Sequence, residues 1–267
     1  KKGNNTTVTV DDEQIIPITV AKIGENKYYE LADAMNDLAA NGGTLDFLQE
    51  IDGSNYTTPV RMTKDAVINS NGYSITDLKM PLVETTGDIE LIFNNVKIDK
   101  ADILVENGAY ANGLGIAAFV CYKNLGKSDI QFNNCEITNS KIIADAQNEN
   151  IRSAGFIGYY DGGKVTVNGG KVENTTIEAV NGVGAITAFT DKPLTVDGTV
   201  IKNNTITSKE DRTGKTIIAG SVIGTATVSA MSIKATVSGN KTTQNIGGTQ
   251  TPVTTIYGRV INGAELT

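Results

Sequence analysis

Pairs of carboxylates are the residues of this chain best suited to chemistry, because two such groups can hydrolyse a glycosidic bond. Three pairs are close in sequence, namely Asp88 with Glu90, Asp99 with Asp102, and Glu210 with Asp211. Other acids, such as Asp161 and Asp191, fall in turn sequences, where aspartate is expected for conformational reasons. We therefore favour solvated turn residues over catalytic ones and predict no catalytic residue.

Several other chemistries are excluded by residues that the chain lacks. It has no histidine, which removes Ser-His-Asp and Cys-His catalysis and histidine-ligated zinc. Its two cysteines cannot form a closed zinc site, and it has no phosphate-binding glycine loop followed by a helix. We predict no cofactor and no metal site, with calcium at Asp11 and Asp12 or at Asp161 as the open alternative.

Ligand binding is more consistent with a set of insertions of unequal length, because loops on a rigid scaffold often carry binding sites. The insertions fall between the second and third strands of the repeats described below, at 106–115, 145–153, 181–184, 208–215 and 238–252. We predict that they emerge along one edge of the fold. The candidate ligand-binding residues there are Tyr110, Asn148, Arg152, Glu210, Arg212 and Gln244. Neutral variation of loop length is the alternative explanation.

The scaffold that positions these loops is indicated by an internal repeat. Similar segments begin at Phe93, Phe132, Val167, Val196 and Val228, and each carries a second apolar residue five positions later, ending with Ile233. Asn, Asp and Gly pairs between the apolar positions suit tight corners. The repeat predicts an all-β chain folded as a single-stranded, right-handed parallel β-helix with three strands per coil.

Stacked coils place equivalent residues in columns about 4.8 Å apart. The first apolar positions should then form an interior column that begins with Phe93, Phe132 and Val167. The predicted polar ladder at a corner contains Asn94, Asn133 and Asn168, and the predicted exterior column of alternating charge contains Lys97, Glu136 and Lys171.

One helix is predicted near the start of the chain. Leu31, Ala34, Met35 and Leu38 form a single apolar helix stripe, and the sequence Asn41-Gly42-Gly43 ends it. We predict a helix at about 30–40 that covers the open end of the first coil. The predicted organisation is a flexible leader over 1–14 and a single β-helix domain over 15–267.

Composition limits the partners of the chain. Its 267 residues carry a net charge of −7, which opposes binding to nucleic acid, and no apolar stretch is long enough to cross a membrane. Cys121 and Cys135 are too few for a disulfide framework, so we predict two buried free thiols. The polar start KKGNNTTVTV is consistent with a removed signal peptide or a lipid anchor point.

Two segments resemble known proteins. AKIGENKYYELADAMNDLAANGGTLDFLQEI followed by AVINSNGYSI resembles the start of bacterial surface-exposed β-helices of the pectin lyase-like class. AGFIGYYDGGKVTVNGGKVENTTIEA resembles the GLUG repeats of secreted bacterial proteins. These resemblances cover most of residues 20–260 and imply an architecture, but lyases, glycosidases and adhesins share it. The catalytic aspartate trio with histidine of polygalacturonases and the calcium-binding carboxylates of pectate lyases have no counterpart here.

The sequence therefore predicts a non-catalytic bacterial protein that is secreted or anchored at the cell surface, on the outer membrane or the cell wall. The expected role is adhesin-like or glycan-binding, with a polysaccharide or a host-surface glycoprotein as partner, or that of a rigid surface spacer. The alternative is a polysaccharide lyase or glycoside hydrolase with its site in the edge loops.

Overall fold

The part of the chain that the structure describes is mostly β-strand with one α-helix, and its sheets are mainly parallel, which confirms the predicted all-β class. The structure is a computed structural model that describes residues 18–106, 115–121, 127–145, 151–214, 216–227, 230–260 and 265–266. The predicted leader over 1–14 therefore lies outside the described residues. Among the described residues, no helix has the length and apolar character needed to span a membrane.

The elements before the regular repeats are β1 (Ala21–Ile23), β2 (Asn26–Tyr28), α1 (Leu31–Asn41), β3 (Gly43–Phe47), β4 (Ile51–Asp52), β5 (Val60–Met62), β6 (Ala66–Asn69), β7 (Ser74–Thr76) and β8 (Val83–Thr85). The middle of the chain contains β9 (Glu90–Asn94), β10 (Lys97–Asp99), β11 (Asp102–Glu106), β12 (Val120–Cys121), β13 (Asp129–Asn133), β14 (Glu136–Thr138), β15 (Lys141–Asp145), β16 (Ser153–Ala154), β17 (Val165–Asn168), β18 (Lys171–Glu173), β19 (Thr176–Ala179) and β20 (Val183–Gly184). The last strands are β21 (Thr187–Thr190), β22 (Leu194–Lys202), β23 (Thr205–Ser208), β24 (Ile223–Ala226), β25 (Ala230–Ser238), β26 (Lys241–Ile246), β27 (Thr249–Pro252), β28 (Tyr257–Val260) and β29 (Glu265–Leu266).

Helix α1 matches the prediction to within one residue at each end. Its predicted apolar stripe is buried, and the helix packs against β1, β2, β3 and β5. Gly42 follows the last turn with φ of 73°, a left-handed conformation that glycine adopts without strain, and its N–H donates to the carbonyl of Leu38. The helix thus packs against the first strands of the stack.

The strands form three sets, and the chain visits these sets in the same order in each repeat. The first sheet has two arms, β3-β6-β9-β13-β17-β22 and β4-β7-β10-β14-β18-β22, because the long strand β22 runs through both. The second sheet follows the order β11-β15-β19-β23-β26. The third set consists of β5-β8-β12, β16-β20 and β21-β24-β28, and isolated bridges from Val120 to Ile157 and from Ile157 to Thr187 connect the first of these groups to the last. Apart from the antiparallel pairs of β1 with β2 and β3 and of β26 with β27, the paired strands are parallel, and most join equivalent positions one repeat apart.

The predicted interior column is confirmed from Phe93 to Val196. Phe93 pairs in register with Phe132, Phe132 with Val167, and Val167 with Val196, and all four are fully buried. The rings of Phe93 and Phe132 stack at 5.1 Å, and Phe119 meets both rings edge-on from the third set of strands. Large apolar side chains from different faces therefore fill one continuous core.

The predicted asparagine ladder is also confirmed, and it is longer than expected. The side-chain Nδ2 of Asn168 donates to Oδ1 of Asn133 at 3.0 Å, and the same bond joins Asn133 to Asn94 at 2.9 Å. Asn94 donates in turn to Asn69, and Asn69 donates to the carboxylate of Asp46, each at 2.9 Å. All four bonds point towards the start of the chain and end at an acceptor.

The prediction for the fifth copy of the repeat is wrong in register. Val196 pairs with Ile233, and Ile201 pairs with Val237, so Ile233 occupies the first apolar position rather than the second. Val228 lies outside the described residues. Residues 241–244 then pair with 205–208 as strand β26 of the second sheet, so the predicted edge insertion at 238–252 is largely strand. The register shifts at a bulge between Asp197 and Thr199, so the two apolar positions are five residues apart in β22 but only four apart in β25. The predicted spacing of five therefore misplaced this copy.

Both cysteines are free and buried, as predicted. Cys121 lies in β12, and Cys135 lies directly before β14. Burial raises the pKa of the Cys135 thiol to about 12.

Candidate functional site

Three of the six predicted edge residues come together, namely Arg152, Glu210 and Arg212. Tyr110 and Asn148 lie outside the described residues. The Arg152 side chain lies beside Gly182, and Arg212 Nη2 lies 3.5 Å from Oδ1 of the adjacent Asn181. Glu210 forms an ion pair with Arg212, so the three side chains share one neighbourhood. With Tyr159 and Phe189, which pack beside Arg152, they form what we term the edge cluster.

The aromatic part of the edge cluster comes from two consecutive repeats of the third set of strands. Tyr160 bridges to Thr190, so Tyr159 and Phe189 occupy equivalent positions one repeat apart. Their rings are nearly parallel, with an angle of 8° and centroids 4.5 Å apart. Tyr160 and Thr190 are buried while Tyr159 and Phe189 are half-buried, as strand alternation requires.

The Arg152 guanidinium lies beside this stacked pair. Its Cζ is 5.2 Å from the Tyr159 centroid and 5.2 Å from the Phe189 centroid, so it lies midway between the two rings rather than above one of them. Burial, opposed by Tyr159 and assisted by the like charge of Arg212, lowers the pKa of Arg152 from its usual value. Burial also raises the pKa of Tyr159, with a further contribution from Asp161.

The second arginine of the edge cluster is tied to two polar neighbours. Arg212 Nη2 donates to Glu210 Oε2 at 2.5 Å and lies 3.5 Å from Oδ1 of the buried Asn181. The backbone N–H of Arg212 donates to the carbonyl of Asn245 at 3.0 Å. The edge cluster is thus a charged and aromatic surface held by strands from several repeats.

Gln244, the sixth predicted residue, is not at this surface. It is fully buried in β26, and its Oε1 accepts from the backbone N–H groups of Ile218 and Ala219 at 2.6 and 3.2 Å. Its Nε2 donates to the carbonyl of Thr216 at 2.7 Å. Because this amide already bonds to three backbone groups of the chain, we leave Gln244 out of the site. The error follows from the wrong register of the fifth repeat.

A second candidate surface is a groove along the corner between the two arms of the first sheet. It has a volume of about 630 Å³. We term it the polar groove; its lining residues are Asn71, Gly72, Asn95, Lys97, Asn134, Glu136, Gly170, Lys171 and Val200. Asn71, Asn95 and Asn134 have φ between 51° and 55°, which points to a repeated left-handed corner that asparagine tolerates well.

Charges in the polar groove follow the predicted exterior column. Lys97 pairs in register with Glu136, and Glu136 pairs with Lys171. Lys171 Nζ lies 3.7 Å from Glu136 Oε2 and 3.4 Å from Glu173 Oε2. The predicted stacking is confirmed, although Glu136 and Lys171 are half-buried rather than fully exposed, with 30% and 35% of their side chains accessible.

The carboxylate pairs considered for hydrolysis have structural partners instead of a shared cleft. Asp99 accepts hydrogen bonds from Thr138 and Asn139 at 2.7 and 2.8 Å, and these bonds outweigh the effect of burial and lower its pKa. Asp102 forms an ion pair with Lys79 at 3.2 Å. Glu210 is bound to Arg212. In the part of the chain that the structure describes, no group of three or more potential metal ligands is present.

Sequence reasoning missed Tyr159, Phe189 and Asn181 as members of a site. The signal available was an aromatic residue at an outward position of two successive third strands, in AGFIGYY and GAITAFT. The polar groove was also missed, because the column of Lys97, Glu136 and Lys171 was interpreted only as a determinant of register.

Comparison with known proteins finds no matching family model, no matching curated protein and no matching solved structure.

Proposed function

We propose that this chain is a right-handed parallel β-helix of the pectin lyase-like kind, with GLUG-like repeats, that acts as a non-catalytic glycan-binding protein. Its support is the parallel pairing of most strands with their equivalents one repeat later, in all three sets of strands. Parallel crossover connections are right-handed in about 98% of cases, which favours that hand here. Secretion by a bacterium and display at its surface complete the proposal, as the resemblance implies.

The polar groove is the main structural support for the proposal that the chain binds a glycan. Its lining residues come from consecutive repeats, from Gly72 before β7 to Val200 in β22. Five strands at about 4.8 Å spacing span about 19 Å. A polysaccharide in an extended conformation also repeats similar groups at short, regular intervals, so it can present hydroxyls to successive repeats.

The functional groups of the groove suit a neutral or weakly charged glycan. Asparagine amides both donate and accept hydrogen bonds, which matches the two-way chemistry of sugar hydroxyls. Glu136 offsets part of the charge of the two lysines that line the groove, as its ion pair with Lys171 shows. A strongly anionic polymer would meet this mixed charge on a chain of net charge −7, which opposes its binding.

Glycan-array binding, with and without calcium, tests the proposal. The double variant Glu136→Ala with Lys171→Ala removes one ion pair from the groove. Its matched control is Glu178→Ala with Lys209→Ala, which removes a 2.9 Å ion pair from the second sheet. We expect the native chain and the control to bind the same glycans, and the groove variant to lose at least about tenfold in affinity.

The competing readings predict different results. Equal loss in the groove variant and its control would contradict a site in the groove. A rigid spacer would bind no glycan in either buffer. Release of shortened or unsaturated sugars from a bound polysaccharide would replace the non-catalytic proposal with the lyase or hydrolase alternative.

A further inference from the structure

Unsatisfied polar atoms are concentrated around the edge cluster. In the described ranges, three buried side-chain atoms have no hydrogen-bond partner, namely Asp191 Oδ1, Arg212 Nε and Asn245 Oδ1. Arg212 belongs to the edge cluster, Asn245 accepts from the Arg212 backbone, and Asp191 acts electrostatically on Tyr159. Folded proteins leave few such atoms without a water or ligand. Asp191 Oδ1 does lie 3.4 Å from Lys192 Nζ, although without hydrogen-bond geometry.

Satisfying these three atoms requires both hydrogen-bond donors and a hydrogen-bond acceptor. Arg212 Nε is a donor and requires an acceptor, whereas Asn245 Oδ1 and Asp191 Oδ1 are acceptors and require donors. Hydroxyl groups can supply the donors. A carboxylate is the strongest acceptor for an arginine, because the bond is charge-assisted.

The charge distribution also favours a carboxylate on the arginine side of the cluster. Beyond the effect of burial, the positive charge of Arg212 lowers the pKa of Arg152 and the negative charge of Glu210 raises it, and Glu210 also forms an ion pair with Arg212. A further negative group placed between the two guanidinium groups would be attracted by both of them. Besides burial, Asp161 and Asp191 both raise the pKa of Tyr159, and close to these two carboxylates sugar hydroxyls are better tolerated than a further negative charge.

We propose that the edge cluster binds an acidic sugar, meaning a glycan residue that carries a carboxylate together with hydroxyl groups. The carboxylate contacts Arg152 and Arg212, and the hydroxyls donate to Asn245 and Asp191. The flat edge of the Tyr159 and Phe189 stack forms an apolar wall for the sugar ring. This site is separate from the polar groove and does not depend on it.

Nuclear magnetic resonance of the arginine side chains provides a test on the unmodified chain. The sequence has four arginines, at 61, 152, 212 and 259, so their Nε–H signals can be resolved. The probes are methyl glucuronide, methyl glucoside as the neutral match, acetate as the bare carboxylate, and a short glutamate peptide. We expect methyl glucuronide to shift the Arg212 and Arg152 signals saturably and to leave the Arg61 signal in place.

Conservative variants identify the residues responsible. Arg212→Lys and Arg152→Lys keep the positive charge but remove the planar fork that holds a carboxylate at two points. Each should weaken methyl glucuronide binding by about tenfold. Arg61→Lys is the matched control, because Arg61 Nε also faces a carboxylate, Glu84, at 3.4 Å.

Four results would overturn the inference. Methyl glucoside binding as tightly as methyl glucuronide would remove the role of the carboxylate. Acetate or the glutamate peptide binding as tightly would remove the role of the sugar. An unshifted Arg212 signal at saturating methyl glucuronide would place the binding elsewhere. If Arg212→Lys fails to fold, the native-chain spectra and Arg152→Lys still decide, and neither result depends on the polar groove.

Discussion

The asparagine ladder makes a directional prediction, because the same substitution at its two ends should have opposite effects. At one end Asp46 accepts a hydrogen bond from Asn69, so a carboxylate suits that position. At the other end Asp197 pairs in register with Asn168, whose Nδ2 already donates to Asn133. The next side chain in the column after Asn168 is therefore a carboxylate, which cannot donate a hydrogen bond to Asn168 Oδ1 as an asparagine could.

Asp197→Asn supplies the missing donor. A hydrogen bond contributes about 0.5–1.5 kcal/mol net, and Asp197 is exposed, so the free energy of unfolding should rise by about 0.5 kcal/mol, at the lower end of that range. Asp46→Asn keeps an acceptor for Asn69 but loses the charge-assisted bond, so stability should fall by about 0.5–1 kcal/mol. Lys234 is the next residue in the column after Asp197, and losing that exposed attraction offsets part of the gain.

Urea unfolding at low and at high salt measures both variants. High salt screens the attraction between Asp197 and Lys234, so the stabilisation by Asp197→Asn should be larger there. If the free energy of unfolding falls with urea concentration at the same slope in the native chain and in both variants, the substitutions have not changed the denatured state. Destabilisation by Asp197→Asn at high salt, or the same sign of change for both variants, would refute the direction assigned to the ladder.

Three further predictions concern the core. Phe132→Ala removes a fully buried ring that stacks on Phe93, so unfolding free energy should fall by about 3–5 kcal/mol, and a loss near zero in urea titration would contradict an interior Phe132. Burial raises the pKa of the Cys135 thiol to about 12, above its ordinary value of 9.0, so the unfolded state binds fewer protons than the folded state between those values. Stability should therefore fall as pH rises above about 9, and Cys135→Ala in a Cys121→Ala background should reduce that slope. A thiol reagent at pH 8 should modify Cys135 only after unfolding, and rapid modification of the folded chain would contradict its burial.

Patterns in the sequence correctly predicted helix α1, the register of the interior column and the residue types at the corners. The stripe from Leu31 to Leu38 specifies α1 because a helix presents every third or fourth residue on one face. The spacing of Phe93, Phe132 and Val167 specifies the register because a slip of one residue would expose each of them. Asparagine and glycine at the corners follow from the left-handed backbone required there.

The fifth repeat and both candidate surfaces were harder to predict for a physical reason. Val228 and Ile233 are both apolar, so hydrophobic pattern alone could not tell which one continues the column of Val196. Because of this error, Gln244 was predicted to lie in an edge loop, whereas it is buried in strand β26. The edge cluster joins residues from three repeats, and their proximity depends on how loops fold back, which periodicity does not encode.

The pairing of most strands with their equivalents one repeat later also affects how the chain folds. Most sheet contacts join residues separated by one repeat, as between Phe93 and Phe132, whatever the length of the chain. Contact order relative to length therefore falls as repeats are added, and folding can advance from one end by adding neighbours. Helix α1 packs against β3 and β5, so we expect folding to begin with these three elements. Additional repeats would then enlarge the protein without increasing the sequence separation between the residues that form each new contact.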